Sequence, residues 1–222
     1  MKITLSMLAC SAFLLPAQQS AAADDLSPAE KALFVTNHLA TLTPPTTLRY
    51  SFHKGGSLEA GFDDKVSISL RAQSDGRCCA ASAEFLGGSR RLSLPEVESA
   101  QGNPVILYFL ERDIREMQRL TKGQPNYFRK RIRMAVYQGA TMTEASVSYL
   151  GRKVAARQIT VAPYVDDPLR ARFEALAGKR YVFTLSDQVP GGVVSMRSQV
   201  DGTAALPLLI EEMTLEGVAR QP

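Results

Sequence analysis

Only two histidines, His38 and His53, are available for acid–base or metal chemistry. Neither stands beside a Gly-x-Ser-x-Gly elbow or at helical spacing from a second ligand. Both therefore read as surface or satisfied polar residues, and a His-dependent hydrolase or zinc enzyme is disfavoured. Carboxylates gather in two places. Glu111, Asp113 and Glu116 could divide acid and base roles, but Arg112 and Arg115 alternate with them and would hold each one ionised, so a salt-bridged helix surface is the simpler reading. Asp166 and Asp167 precede Pro168, where Asp167 serves more simply as a helix N-cap. An enzyme on this chain would need a pocket where Glu111, Asp113, Arg129 or Tyr127 converge from separate segments. No catalytic residue, metal or cofactor is expected.

The densest positive charge is Arg129, Lys130, Arg131 and Arg133, interleaved with Tyr127, Phe128 and Ile132. Such a segment could dock on an anionic membrane surface, gather an acidic ligand at the mouth of a cavity, or pair with the acidic helix before it. Cys78 and Cys79 are adjacent. They could close a vicinal disulfide, pair with another chain, or stay as unbridged thiols on opposite faces of a strand. The close α-carbon spacing of neighbours favours the thiols. The paired glycines at 55–56, 87–88 and 191–192 lack a phosphate-loop context and read as turns.

Met1 and Lys2 lead into an apolar run from Ile3 to Ala17, then Gln18, Gln19 and Ser20, then Ala21-Ala22-Ala23 before Asp24. That is the pattern of a cleavable secretory signal peptide spanning residues 1–23, which implies export to a bacterial periplasm. The run is shorter than the roughly 20 apolar residues of a membrane span. Cys10 lies inside it, with Phe13, Leu14 and Leu15 still to follow, and reads as an ordinary signal-peptide residue. Residues 24–222 suit a single domain. The formal net charge of +4 is too small to imply nucleic acid.

These candidates need elements to position them. Ser27-Pro28-Ala29-Glu30 is a capping box and predicts a helix to about Leu42. Leu48, Tyr50 and Phe52 alternate with polar neighbours, as do Val66, Ile68 and Leu70, so the sheet should have one apolar face. Further strands are expected at 58–62, 78–86, 91–94, 145–150, 153–161, 181–185, 193–200 and 208–217, about ten in all, enough that the sheet must curl or split. Asn103-Pro104 starts a helix carrying Ile106, Leu110, Ile114 and Met117, with Glu111–Arg115 and Arg112–Glu116 as pairs on its outer side. Residues 127–137 fit either a helix or a strand, and Asp167-Pro168 starts a short helix. Together these give an α+β domain: a large curled antiparallel sheet with helices packed on its concave face.

That order of elements behind a signal peptide, with phrases such as Leu48-Arg49-Tyr50-Ser51-Phe52 and Tyr181-Val182-Phe183-Thr184-Leu185, resembles the Lol-type lipoprotein carriers and receptors. The resemblance implies a half-barrel holding a hydrophobic ligand. The expected partner is an apolar or amphiphilic molecule, such as a lipid or acyl chain, lined by Tyr50, Phe52, Val66, Ile68, Leu70 and Phe109, with Tyr127, Arg129, Arg131 and Arg133 at the mouth. The alternative is an interaction module of an envelope assembly.

Overall fold

The computed structural model describes residues 26–73, 78–203 and 206–220. The signal-peptide expectation concerns residues 1–23, outside the described residues. Among the described residues eight strands form: β1 (Thr46–Gly55), β2 (Phe62–Ala72), β3 (Cys78–Phe85), β4 (Thr141–Tyr149), β5 (Arg152–Val161), β6 (Arg180–Leu185), β7 (Val193–Val200) and β8 (Leu209–Arg220). They make one antiparallel sheet in the order β3-β2-β1-β8-β7-β6-β5-β4. The chain winds outward from β1 to one edge at β3, crosses by helices, restarts at the other edge with β4, and works inward until β8 pairs with β1. The two edges do not pair with each other, so the sheet is an open half-barrel.

The two-residue period decides which side is core. Leu48 pairs with Ile68 and Tyr50 with Val66; these four, with Phe52 and Leu70, are fully buried, each at 0–1% exposure. Burying a side chain of this size contributes about 1.5–3 kcal/mol, which holds the register against a one-residue slip. The helices lie on this face: α1 (Pro28–Glu30) continuing as a π-helical turn (Lys31–Val35), α2 (Val105–Thr121) and α3 (Pro125–Gln138). Phe109 and Met117 of α2, and Phe128 and Val136 of α3, are fully buried. Residues 127–137 are thus helical. Pro125 opens α3, and Phe128, Ile132 and Val136 recur at the i, i+4, i+8 spacing.

Four expectations change. The first helix stops at Val35, not Leu42, because Thr36 leaves helical geometry with ψ 131 and both its amide and its hydroxyl donate to the Lys31 carbonyl. Residues 58–61 form no strand; a bend over 56–59 leads to Gly61, which lies so close to the Lys54 carbonyl that only a glycine fits. Residues 91–94 supply one isolated bridge, Leu92 to Phe85. After Asp167-Pro168 two 3-10 turns, Arg170–Arg172 and Glu174–Gly178, replace a helix, with Glu174 at φ 51 interrupting the run. β4 and β5 form a hairpin closed by Leu150 and Gly151, both at positive φ, as a type I′ turn requires. The sulfurs of Cys78 and Cys79 lie against each other at the start of β3. The peptide between them is cis, with the α-carbons 3.1 Å apart.

Asn103 anchors α2 to the sheet. Its Oδ1 accepts from Val105 N at 3.1 Å, while its Nδ2 donates to Tyr50 Oη and to the Gly191 carbonyl, both at 2.8 Å. His38 holds the same corner: Nε2 donates to the Ala32 carbonyl at 2.9 Å, and Nδ1 accepts from Asn103 N at 3.2 Å. Protonating Nδ1 would remove that acceptor. Burial lowers the His38 pKa below its usual 6.5, the Ala32 bond offsetting only part. A lowered histidine pKa favours folding above the unfolded-state value and costs stability as pH falls below it. The urea midpoint should therefore fall between about pH 7.5 and pH 5.5, and His38→Gln should flatten that slope. Equal slopes in both proteins would rule His38 out as the cause.

Candidate ligand-binding groove

Leu107 lies off the apolar stripe of α2, and Phe34 and Val35 end a helix whose inward residues are Ala32 and Leu33. The fold brings these outward apolar residues together. α1 with its π-helical turn, the 94–97 segment after β3, and the outer sides of α2 and α3 enclose a groove of about 720 Å³, within the range of about 300–1,000 Å³ typical of small-molecule sites. Its walls include Leu26, Phe34, Val35 and Leu107, exposed by 44%, 39%, 54% and 55%. Leu110, Ile114 and Ile132, all buried, form its floor. Isolated exposed apolar residues are ordinary, whereas four converging on one concavity are not.

Each wall is fixed from below. Ser27 Oγ accepts from Glu30 N at 3.1 Å and Glu30 Oε2 from Ser27 N at 3.0 Å, closing the expected capping box. Val97 exchanges two backbone hydrogen bonds with Ala81, which covers the β3 edge, and Tyr108 Oη donates to the Pro95 carbonyl at 2.8 Å. The groove thus sits on rigid supports.

Charge rims it on the α2–α3 side. Arg129 grips the Glu111 carboxylate, with Nη2 2.8 and 2.9 Å from its two oxygens and Nε at 3.1 Å, and Arg115 Nε reaches it at 3.3 Å. Arg133, one turn beyond Arg129, also lines the groove and makes no ion pair among the described residues.

Beneath α2 lies a second set of charges. Asp113, fully buried, accepts from Tyr181 Oη at 2.6 Å and from Ser198 Oγ at 2.9 Å, and pairs with the buried ammonium of Lys179. Burial and the Asp113 carboxylate push the Tyr181 phenol well up, so it remains a donor. Next to it Arg112 reaches Glu211 at 2.9 Å and Glu116 at 3.2 Å, while Lys54 meets Glu116 at 2.5 Å and Glu59 at 2.9 Å. Burial alone would raise the Glu116 carboxyl, but hydrogen bonds from Arg119 and Lys54 and the Arg112 charge hold it down at about 2. Burial pushes Glu211 up, with Arg112 offsetting part of the effect. The Arg112–Glu116 pair expected on the outer side of α2 therefore faces inward, because the sheet offers Lys54 and Glu211 as partners. Only Glu111–Arg115 is outward.

The residues singled out from sequence fall into three groups. Tyr50, Phe52, Val66, Ile68, Leu70 and Phe109 are packed into the core below the helices. Tyr127 Oη donates to Asp167 Oδ1 at 2.6 Å and Arg131 Nε lies 2.7 Å from Asp167 Oδ2, so both tie α3 to the 164–167 loop. Asp167 Oδ1 also accepts from Leu169 N at 2.7 Å, closing an Asx turn in place of the expected helix N-cap. Arg129 and Arg133 border the groove. Of the four candidates for an enzyme's pocket, Glu111 meets Arg129, whereas Asp113 lies under α2 and Tyr127 is engaged by Asp167. His53 is exposed and bonded to Asp63 at 2.7 Å. Among the described residues no group of three or more His, Cys, Asp or Glu is placed to hold a metal. Leu26, Phe34, Val35 and Leu107 were not anticipated; the one signal was a large apolar residue at an off-stripe position of α2.

Fold and site together define an open antiparallel half-barrel carrying helices on its concave face and an apolar groove on the outside of those helices. Among solved structures the chain is similar to the Mycobacterium tuberculosis lipoprotein LppX at 9% identity, over 78% of this chain and 85% of that one, with a TM-score of 0.33. It is also similar to a LolA superfamily protein from Nitrosomonas europaea at 7% identity, over 87% and 94%, with a TM-score of 0.24. No family model matches the chain, and no curated protein does.

Proposed function

We propose that residues 24–222 form an exported, single-domain periplasmic binding or shuttle protein for an apolar or amphiphilic molecule such as a lipid or acylated compound. The observation that carries this reading is the groove, where four large apolar side chains stand exposed in one concavity while arginines and a glutamate border it. Shielding a ligand's apolar surface there would gain about 25 cal/mol per Å² removed from water. Holding and releasing such a cargo needs no nucleophile.

Protein purified from the periplasm without detergent should yield a stoichiometric apolar molecule on solvent extraction, read by mass spectrometry against a control periplasmic protein. Its intact mass should correspond to a chain beginning at Asp24. Leu107→Glu places a charge in the groove at an exposed position; the variant should fold as the parent does but come out without the molecule. A parent protein that is itself empty, and that elutes bound to an envelope protein or to a second copy, would replace the shuttle with the interaction module.

A further inference from the structure

We infer that the groove takes a single-chain amphiphile whose head is an anion, carboxylate or phosphate, held at the α2–α3 rim by Arg115, Arg129 and Arg133. This rests on reading the groove as the ligand site, and adds the charge of the ligand and the residues that recognise it. Charge complementarity is the reason. Arg115, Arg129 and Arg133 line the groove against two carboxylates, Glu30 and Glu111. Glu30 is committed to the Ser27 capping box, which leaves Glu111 to serve three guanidinium groups.

The arrangement follows from helical spacing. Glu111 and Arg115 are one turn apart on α2, and Arg129 and Arg133 one turn apart on α3, with Ile114 and Ile132 between them at the groove floor. The rim is therefore polar along one seam, while Leu26, Phe34 and Val35 face it from the other side. An acyl chain lying on the floor brings its head to that seam. Glu111 already occupies the guanidinium fork of Arg129, the geometry that suits a carboxylate or phosphate. It therefore acts as an internal competitor for the head, and Arg133 is the cation left for the ligand.

The inference is tested by displacing Nile red, an uncharged dye, from the exported protein with dodecanoate, dodecyl phosphate and dodecanol below their micellar concentrations. Extrinsic dye is needed because the chain has no tryptophan. The two anions should bind roughly tenfold tighter than the alcohol, and the advantage should shrink as salt rises. Which anion is preferred decides between carboxylate and phosphate. Arg133→Gln should weaken both anions roughly three- to tenfold with dodecanol unchanged. Glu111→Gln, which frees Arg129 and Arg115, should tighten the anions and leave dodecanol alone. Opposite shifts in two charge-neutralising variants cannot come from partial unfolding, and the urea midpoints of both should match the parent. Equal affinity for all three compounds, or an anion preference indifferent to both substitutions, overturns the inference while the groove reading stands. Nile red that fails to bind, or that none of the three displaces, overturns the groove reading and the inference with it.

Discussion

Asp113→Ala should cost about 3–5 kcal/mol of folding stability, read as a fall in the urea midpoint followed by far-UV circular dichroism. The carboxylate is fully buried and meets Lys179, Tyr181 and Ser198. Removing it strands the Lys179 ammonium, itself at 0% exposure, in a low-dielectric interior, and leaves two hydroxyl donors unsatisfied. The cost comes mainly from the abandoned lysine, so a second substitution should return part of it. Asp113→Ala with Lys179→Met should be more stable than Asp113→Ala alone, because an apolar chain of similar length then fills the site without a charge. A single variant that loses less than about 1 kcal/mol would mean that water reaches Lys179 and that the interior here is not dry. The stake goes beyond stability. Asp113 sits on the side of α2 opposite Leu107 and Glu111, so the pair that pins α2 to the sheet also fixes the groove's floor.

The misreading of this charged cluster shows where sequence patterns stop. Arg112 and Glu116 stand one turn apart on α2, and a charged pair at that spacing is ordinarily solvated. What turns them inward is the company they find, Lys54 near the end of β1 and Glu211 in β8, while Asp113 beside them meets Ser198 in β7 and Lys179 just before β6. Those partners come from four segments far apart in the chain, and no local periodicity records their meeting. The sheet-facing aromatic and aliphatic residues were legible because alternation is local: Leu48, Tyr50 and Phe52 report their face within five residues. For the same reason the capping box at Ser27 could be read directly, resting on contacts within a few residues.

The groove was illegible for a related reason. The expectation placed a ligand between sheet and helices, where the apolar residues are concentrated. In the structure the residues proposed to line that space, Phe109 among them, instead interdigitate as core. The concavity arises one layer further out, where the 94–97 segment and the N-terminal helix stand away from the α2–α3 pair. Its lining comes from four separate elements. The arginine cluster was the portion of the site visible in advance, and only half of it: Arg129 and Arg133 border the groove, whereas Arg131 turns to Asp167 because helical geometry sends position 131 to another side of α3.

Phe128→Ala should destabilise the fold by about 3–5 kcal/mol, the usual cost of deleting a buried aromatic ring. Phe128 is at 0% exposure and its ring lies 5.6 Å from Phe173, 5.8 Å from Tyr164 and 6.1 Å from Tyr127. That cluster joins α3 to the 3-10 turns before β6, so the cavity left behind would be walled by three other rings with little freedom to collapse. Gly123 shows how tightly the site is filled: a β-carbon there would come 2.4 Å from the Phe128 ring. Phe128→Leu keeps most of the volume and should lose less than the alanine variant. The two variants separate packing from function. α3 carries Ile132, Arg129 and Arg133 into the groove, and the ring that seats the helix is on its sheet side. Phe128→Leu should therefore keep Nile red bound at urea concentrations well below its midpoint, whereas in Phe128→Ala dye binding should weaken before the global transition. A dye signal that tracks global unfolding equally in both would show that α3 does not loosen independently of the sheet.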